Sequence, residues 1–254
     1  MTTSHKARAD TIERADRFAS HWGLELVPRD DRPIEDLLGS STSAIVMANG
    51  GTMHLATVHG ALSAHLGTAY IRLKSLGRGE SDPLVRAGEI QPGDHILDTT
   101  FGLGRDAVVA ACASGETGQV TAIESSSGLF HLGQHGLADG PLSAQVLLET
   151  SGLTSAPIQL LHGDATSYLA SAEADSVDVV LIDPMFEAAK TSDSGFELLR
   201  SVANPMALTE QWVKEARRVA RRWVVVKTGA SQDWFSSAGL TRVQSHSNAN
   251  WWRA

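Results

Sequence analysis

The stretch Asp98-Thr-Thr-Phe-Gly-Leu-Gly-Arg-Asp106 decides the fold class of this chain. It follows the apolar run His95-Ile-Leu and precedes a helix-forming run that begins at Asp106. The predicted order is therefore a strand, a tight glycine loop and a helix. Glycines allow the backbone to approach a ligand where a Cβ atom would collide, and the first N–H groups of a helix are available to that ligand. The stretch predicts a nucleotide-type cofactor site, with Asp98 at the carboxyl end of its strand.

Downstream of this stretch, short apolar segments alternate with amphipathic ones. Such alternation is typical of an α/β fold with a doubly wound, mostly parallel sheet. The tail over 234–244 and 249–252 predicts a closing antiparallel hairpin. Strands are predicted at 95–98, 119–123, 158–161, 177–182 and 223–227, and helices at 104–114, 126–137, 143–151, 165–172 and 208–221.

The first part of the chain has a different pattern, which predicts a small α+β N-terminal appendage over 1–67 and a larger domain over 68–254. The appendage contains a β-hairpin joined by Asn49-Gly-Gly51, and Asn-Gly favours a type I′ turn because both residues tolerate positive φ. The other expectations for this part are helices at 10–21 and 33–38, a short strand at 24–27, and hairpin strands at 44–48 and 52–58.

The composition is that of an ordinary globular protein, with 254 residues, 42% hydrophobic residues and a net charge of −8. No apolar run approaches the roughly 20 residues of a membrane helix, so no membrane partner and a cytoplasmic location are expected. The single Cys112 excludes an internal disulfide and a zinc-type cysteine pair. His131 and His135 lack a third ligand in a known pattern, so no metal site is predicted. The negative charge opposes extensive coating by nucleic acid but allows a local basic patch.

Four predicted strands end in, or just before, a carboxylate, namely Asp98, Glu124, Asp164 and Asp183. One such acid is more often a helix cap than a ligand. The carboxyl ends of parallel strands converge on one crevice, however, so four acids in register predict a binding site there. Glu124 follows the glycine loop by about 20 residues, where an acid can hold ribose hydroxyls.

Two cofactors compete for the glycine loop. Gly102-x-Gly104-x-x-Ala107, followed by Glu124, also fits the dinucleotide fingerprint of an NAD-type oxidoreductase. Asp98 lies directly before the loop, where it would repel a pyrophosphate and attract a cation. S-adenosylmethionine carries a sulfonium and an ammonium group, so carboxylates suit it. The residues alone leave both cofactors open and favour the cationic one.

Taken together, Asp98-x-Thr100-x-Gly102-Leu-Gly104, Glu124, Asp164 and Asp183-Pro-Met-Phe186 resemble a class I S-adenosylmethionine-dependent methyltransferase. The resemblance implies a Rossmann-like methyltransferase sheet and S-adenosyl-L-methionine as cofactor. It places the glycine loop at the methionine part, Glu124 at the ribose and Asp164 near the adenine amine. The cofactor-binding residues that it implies are Asp98, Thr100, Gly102, Gly104, Arg105, Asp106, Glu124 and Asp164.

A narrower resemblance concerns the substrate. Asp183-Pro-Met-Phe186 resembles the Asp/Asn-Pro-Pro-Tyr/Phe motif of methyltransferases that act on exocyclic base amines. With Arg78-Gly-Glu and Val224-Val-Val-Lys227, the chain is similar to the small-subunit ribosomal RNA guanine-N2 methyltransferase J family and its uncharacterised bacterial relatives. That similarity implies structured RNA or the small ribosomal subunit as partner. Glu187 and Thr228 depart from the family pattern, which has proline and arginine at these places.

The resemblance also implies roles for individual residues. Asp183 and the Pro184 carbonyl would accept the two N–H groups of a base amine, and Phe186 would stack on the base, so these three are the predicted catalytic residues. With S-adenosylmethionine as cofactor, the alternative is methylation of a small molecule or a protein amide. With an NAD-type dinucleotide as cofactor, the alternative is an oxidoreductase. The predicted substrate-binding residues are Arg72, Lys74, Arg78, Met185 and Lys227.

Overall fold

The computed structural model describes residues 1–39, 41–64, 66–138, 143–184, 194–204, 206–228, 232–245 and 250–254. The N-terminal part contains a sheet whose four strands are ordered β1-β2-β3-β4. Its elements are strand β1 (Thr2–Thr3), helix α1 (Ala9–Trp22), helix α2 (Ile34–Leu38), and strands β2 (Ala44–Met47), β3 (Met53–Thr57) and β4 (Gly60–Ser63).

The rest of the chain alternates helices and strands, as predicted. These elements are α3 (Gly67–Gly77), α4 (Pro83–Gly88), β5 (His95–Asp98), α5 (Arg105–Ser114), β6 (Gln119–Glu124), α6 (Ser127–Ala138), α7 (Ala144–Ser151), β7 (Ile158–His162), α8 (Ala165–Ser171), β8 (Val177–Ile182), α9 (Ser194–Val202), α10 (Glu210–Val219), β9 (Ala220–Thr228), β10 (Thr241–Ser245) and β11 (Asn250–Arg253).

The larger sheet has seven strands in the order β10-β11-β9-β8-β5-β6-β7. Strands β9, β8, β5, β6 and β7 run parallel, and the hairpin of β10 and β11 continues the sheet in antiparallel pairing. The chain passes from β5 through β6 to β7 and then crosses to β8, on the other side of β5. The topological switch point therefore lies between β5 and β8, where open α/β sheets bind ligands. The predicted doubly wound fold with its closing hairpin is confirmed.

The large sheet is buried between two apolar layers. Successive residues of a strand point to opposite faces, and Ile96 and Leu97 of β5 accordingly belong to different core clusters. The layer on the Ile96 side includes Leu73 of α3 and Val108 of α5. The layer on the Leu97 side includes Trp212 of α10. Burial on both faces explains why the strand sequences are continuously apolar.

The small sheet packs on α6. Leu55 of β3 shares a core cluster with Leu129 and Leu132 of α6, so the two parts of the chain have a common apolar contact. Their division at residue 67 stays a prediction. No helix within the described ranges is long and apolar enough to cross a membrane.

Two local expectations for the N-terminal part differ from the structure. The segment 24–27 is not a strand, because its backbone bonds to the chain start: the Val27 N–H donates to the Met1 carbonyl at 2.8 Å. The hairpin of β2 and β3 is confirmed, but positive φ occurs at Gly50 and Gly51 rather than at Asn49. The Asn49 Oδ1 instead accepts from the Thr11 hydroxyl at 2.9 Å, so it ties the hairpin to α1. Strands β1 and β4 and helix α9 were not predicted.

Phe101, inside the glycine loop, is a buried anchor between two glycines. A Cβ atom on Gly104 would lie 2.8 Å from the Phe101 ring atom Cε2, and one on Gly133 of α6 would overlap the same ring. The Phe101 N–H also donates to the Ile123 carbonyl at 3.0 Å. The ring therefore fixes the loop against α6 and leaves no room for side chains at these two glycines.

Alanine at Gly133 is expected to lower the free energy of unfolding by roughly 1–3 kcal/mol, the usual cost of overpacking a core. The added methyl group would meet the Phe101 ring and lie 2.9 Å from Leu160 Cδ2. Urea unfolding followed by circular dichroism measures the change. Gly77→Ala is the matched control, because the nearest atom to its Cβ lies at 3.6 Å. Equal stability of the two variants would contradict the anchoring of the loop by Phe101.

Candidate active site

A cavity of about 310 Å³ opens at the carboxyl ends of the parallel strands, at the switch point between β5 and β8. The glycine loop forms one wall. Gly102 has a φ of +56° and its Cβ would have no neighbour closer than the Thr100 carbonyl at 3.9 Å, so a side chain there would occupy the cavity. The lining includes the predicted residues Arg72, Thr100, Gly102, Arg105, Asp106, Glu124, Asp183, Pro184 and Lys227.

The ends of β5 and β8 are joined by hydrogen bonds through Thr100. The Thr100 N–H donates to Asp98 Oδ1 at 2.9 Å, and the Thr100 hydroxyl accepts from the Asp183 N–H at 2.7 Å. The Thr99 hydroxyl adds a bond to the Leu181 carbonyl at 2.8 Å. The glycine loop after β5 and the Asp183-Pro184 segment after β8 are therefore fixed relative to each other.

Asp98 lies beneath the loop rather than on the cavity surface. Its side chain is buried, and Oδ2 has no hydrogen-bond partner among the described residues. Burial, with a smaller contribution from Asp106 and Asp183, raises the pKa of Asp98 to about 7, against the bond from Thr100. A buried carboxyl group without a counter-charge favours the approach of a cation.

Glu124 is positioned by the backbone of its surroundings. Oε2 accepts from the Gly102 N–H at 2.9 Å and Oε1 accepts from the Ser126 N–H at 2.8 Å. Burial raises the pKa of Glu124, while these backbone bonds oppose the rise. Glu124 thus holds the glycine loop from the end of β6 and also contributes to the cavity wall.

A continuous network of ion pairs forms part of the cavity lining. Arg72 of α3 makes two bonds to Asp82, at 2.7 and 2.9 Å, and a further one to Asp106 of α5. Lys227 of β9 bonds Asp106 Oδ2 at 3.1 Å and Asp183 Oδ2 at 2.5 Å. Lys227 also lies 5.5 Å from the centre of the Trp251 ring, its cross-strand neighbour, so its amino group is held from several sides.

The pKa values of the two carboxylates that share Lys227 are shifted in opposite directions. Burial alone would raise the pKa of Asp106, but Lys227 and Arg72 more than offset this and lower it to about 2. Burial also raises the pKa of Asp183, and Lys227 opposes that rise. The two carboxylates together raise the pKa of Lys227 above its usual value against the effect of burial. Asp106 is therefore a fixed anion, whereas Asp183, 36% exposed to the cavity, is the carboxylate that can exchange partners.

Some predicted site residues do not line the cavity. Asp164 caps α8, where Oδ1 accepts from the Ser167 N–H at 2.8 Å, and its neighbours Gly163 and Ala165 are the lining residues. Lys74 lies over the Tyr70 ring at 4.5 Å.

Arg78, further along, pairs with Glu80 at 2.7 Å. Gly104 is the N-cap residue of α5, behind the loop, and has a φ of +75°. Met185 and Phe186 lie outside the described residues.

Two predicted substrate contacts, Arg72 and Lys227, have ion-pair partners within the chain. Arg72 and Lys227 were expected to face a substrate or its phosphate, yet carboxylates of this chain already bind both cations. They join α3, α5, β8 and β9, and such contacts between distant segments leave no local pattern. A direct contact of either residue with the substrate stays a prediction.

The apolar wall of the cavity was missed by the sequence analysis. Part of it comes from α9 and the turn after it, through Leu199 and Ala203. The helical spacing of Leu198, Leu199 and Val202 was the available signal for α9. The other lining residues not predicted are Thr99, Phe101, Leu103, Ile123, Ser125, Leu129, Gly163, Ala165, Asn204, Met206 and Trp212.

The residues of the cavity fit the cationic cofactor expected from the sequence. Asp98 offers a buried carboxyl group with an unpartnered oxygen, and Gly102 leaves a space that a Cβ would fill. Glu124 presents a carboxylate beside that space. Acids that surround a glycine loop suit a ligand with a sulfonium and an ammonium group better than one with a pyrophosphate.

Comparison with known proteins gives the family. The model of the family described as "Putative SAM-dependent methyltransferase" matches residues 45–248. The chain is similar to the uncharacterized protein YpiP of Bacillus subtilis, with 35% identity over 232 residues that cover 89% of this chain and 87% of that protein. A solved SAM-dependent methyltransferase of Neisseria gonorrhoeae has the same fold, with a TM-score of 0.57 and 18% identity over 99% of this chain and 93% of that one.

Relatives with a named substrate are more distant. Ribosomal RNA small subunit methyltransferase J of Laribacter hongkongensis is 34% identical over 180 residues, and these cover 66% of this chain and 59% of that protein. The protein of the same name from Pseudomonas aeruginosa is 28% identical over 183 residues, 70% of this chain and 64% of that protein. With a matching family model over most of its length and an acid-lined glycine loop at the switch point, the chain belongs to the SAM-dependent methyltransferases, and its cofactor is S-adenosylmethionine.

Proposed function

We propose that this enzyme methylates an exocyclic base amine in RNA, with guanine N2 of small-subunit ribosomal RNA as the first candidate. The observation that carries the proposal is the Asp183 carboxylate, which shares one cavity with the glycine loop and is held by Lys227 at 2.5 Å. A carboxylate at this place can accept hydrogen bonds from an amine beside the cofactor loop. A cytoplasmic location, where ribosomal RNA is made, belongs to the same proposal.

The protein contributes to the reaction mainly by orienting the amine of the substrate. When bound, S-adenosylmethionine supplies an electrophilic methyl group. An exocyclic amine is a weak nucleophile because its lone pair is delocalised into the base. Asp183 Oδ1 and the Pro184 carbonyl accept its two N–H bonds, which directs the lone pair away from them and stabilises the positive charge that develops on nitrogen. Lys227 holds Oδ2 and so fixes the orientation of the carboxylate.

The remaining roles complete this proposal. Phe186 is the proposed stacking partner of the target base, a contact worth roughly 1–3 kcal/mol, and Met185 is a second proposed substrate contact. The target is an unpaired base or one that is flipped out of a helix. Asp98, Thr100, Gly102, Gly104, Arg105, Asp106, Glu124 and Asp164 bind the cofactor directly or, like Gly104 and Asp106, shape the loop and network that hold it.

The named relatives support RNA as the substrate class, because several of them are ribosomal RNA small subunit methyltransferases J. The chain covers 59% of the Laribacter protein and 87% of the Alteromonas mediterranea protein, which is 25% identical. Arg72 and Lys227 offer a reason to keep a second candidate, since carboxylates of this chain already bind both cations. An uncharged amide of a protein or a small molecule also fits such a cavity.

Mass spectrometry of ribosomal RNA from a deletion strain tests the proposal. We expect one small-subunit RNA fragment to lose the mass of a methyl group, and plasmid-borne wild-type enzyme to restore it. Asp183→Asn on the same plasmid is the matched variant and is expected not to restore it. If the ribosomal RNA of the deletion strain carries every methyl group of the parent, ribosomal RNA is not the substrate. Methylation of ribonuclease-treated extract by the purified enzyme would then indicate the amide alternative.

A further inference from the structure

A second cavity, of about 480 Å³, lies between α1 and α6 and is separate from the cofactor cavity. Its walls include Arg14, Arg17 and His21 on one side of α1, together with Trp22. Gln134 of α6 contributes the opposite wall. We call this cavity the α1–α6 groove. Its volume lies within the range of about 300–1,000 Å³ that is typical of ligand sites.

The charge of the groove is opposite to that of the whole chain. The chain has a net charge of −8, yet none of the described lining residues of the groove is acidic, and two of them are arginines. Arg17 pairs with Glu13 at 2.5 Å, but both side chains are more than 60% exposed, so this pair contributes at most about 1 kcal/mol and can exchange for a phosphate. A cationic groove on an anionic protein concentrates anionic ligands locally.

Aromatic rings connect the groove with the cofactor cavity. The Trp22 ring lies 4.9 Å from His21 and 5.2 Å from Phe130 of α6, measured between centroids. Phe130 lies 5.1 Å from His162, which ends β7 and precedes Gly163 in the cofactor cavity. His21 and His162, at the two ends of this row, are exposed. Aromatic faces beside arginines are the usual surface for unpaired nucleotides, because bases stack on the rings and phosphates contact the cations.

Helix α6 contributes residues to both cavities. Leu129 lines the cofactor cavity, and Gln134 lines the groove. Five residues along a helix correspond to about 8 Å. Five residues also turn by about 140° around the helix axis, so Leu129 and Gln134 face different sides of α6 and each cavity contacts this helix on its own side.

From this charge, this aromatic lining and the contact of both cavities with α6, we infer that the α1–α6 groove binds an unpaired segment of the RNA substrate close to the target base. Arg14 and Arg17 contact its phosphates, and a base stacks on the exposed ring of His21, which lies beside the half-buried Trp22. The inference rests on the proposed function, because the RNA that occupies the groove is the one that is methylated in the other cavity.

The double variant R14Q/R17Q tests the groove through binding of a fluorescein-labelled single-stranded RNA of about 12 nucleotides. We expect the dissociation constant to rise about tenfold at low ionic strength. The slope of log affinity against log salt should decrease by about 1.4, the value for two lost phosphate contacts on a single strand. With small-subunit ribosomal RNA as substrate, KM should rise while kcat stays within about twofold of the wild-type value, since the catalytic residues are unchanged.

The matched control is K214Q/R217Q, which removes the same charge from the exposed face of α10. Its RNA affinity and salt slope should equal those of the wild type after correction for net charge. If R14Q/R17Q behaves like this control while the wild type binds and methylates RNA, the groove inference is wrong and the proposed function stands. If the wild type neither binds nor methylates RNA, both fail. Unchanged binding of free RNA with weaker binding of intact small subunits would assign the groove to a ribosomal protein and overturn the inference.

A crosslinking experiment locates the RNA directly. RNA that contains 4-thiouridine, irradiated with the full-length enzyme, is expected to label the α1 peptide that contains His21 and Trp22. Calorimetry with S-adenosylhomocysteine should give the same affinity for R14Q/R17Q and the wild type, which excludes a folding defect as the cause of weaker RNA binding. Crosslinks confined to peptides other than those of α1 and α6 would overturn the inference.

Discussion

Asparagine at position 183 is expected to lower kcat for methyl transfer by about 10²–10³-fold, while the dissociation constant of S-adenosylhomocysteine changes by less than about threefold. The replacement keeps the shape of Asp183 but removes the negative charge that stabilises positive charge on the amine. It leaves the glycine loop intact, because the Thr100 hydroxyl bonds to the backbone N–H of residue 183 rather than to its side chain. Single-turnover rates at saturating RNA and calorimetry measure the two quantities.

The control for this prediction is Asp175→Asn, the same chemical change at an exposed position before β8. It should affect neither quantity. A loss of cofactor affinity in Asp183→Asn as large as the loss of rate would contradict the proposed role, because it would make Asp183 a cofactor ligand rather than the acceptor for the amine.

Lys227→Met provides a second test of the same site through pH. Lys227 opposes the rise in the pKa of Asp183, so removal of the lysine should raise that pKa further. Only ionised Asp183 has the negative charge required, and activity is therefore lost as pH falls through its pKa. The acid limb of the profile of kcat against pH should move to higher pH in Lys227→Met. An unshifted acid limb would mean that Lys227 does not act through Asp183.

The predictive power of the sequence was greatest where the decisive residues are close together in the chain. Asp98, Gly102 and Gly104 fall within one strand, loop and helix, and periodicity alone predicts the strands that carry Glu124 and Asp183. The order of strands then follows from the known topology of doubly wound sheets. The position of Gly102, Glu124 and Asp183 around one cavity could therefore be predicted before any coordinates, whereas Asp98 and Gly104 lie behind the lining.

Interactions between distant segments could not be predicted in the same way. Lys227 and Asp106 are 121 residues apart. The sequence contains no signal that Lys227 forms ion pairs with both Asp106 and Asp183. The sequence predicts a substrate contact for Lys227 at its strand end, because the partners of this lysine are distant in the chain. Phe101 is a similar case: as a variable position of the glycine motif it had no assigned role, yet its packing against Gly133 fixes the loop.

The affinity for S-adenosylmethionine is expected to rise with pH and to reach its full value above about pH 7. Asp98 is buried, its Oδ2 has no described partner, and burial raises its pKa to about 7. Below that pH the free enzyme carries a proton on Asp98, and a cationic ligand favours the ionised form. Binding should therefore release up to one proton, and the dissociation constant should increase by at most about tenfold for each pH unit below 7.

Calorimetry in two buffers of different ionisation enthalpy measures this proton release, and Asp98→Asn isolates its source. The variant should bind S-adenosylmethionine about 10–100-fold more weakly at pH 8, the cost of losing a charged partner. Its affinity should depend less on pH than that of the wild type. Glu124, whose pKa is also raised, accounts for any dependence that remains. Proton release that is the same in Asp98→Asn and the wild type would show that another group titrates.

Asp98 should also affect the free energy of unfolding. This free energy should fall as pH rises, whereas the affinity for S-adenosylmethionine should rise. Because its folded-state pKa is raised from 3.8 to about 7, its contribution to stability is fully present below about pH 4 and is lost as pH rises towards 7. The ionised carboxyl group is then a buried charge that the cofactor compensates. The increase in Tm on adding S-adenosylmethionine should therefore be larger at pH 8 than at pH 5.5, and Asp98→Asn should remove most of this difference. An equal increase in Tm at both pH values for the wild type would mean that the buried charge of Asp98 is not what the cofactor compensates.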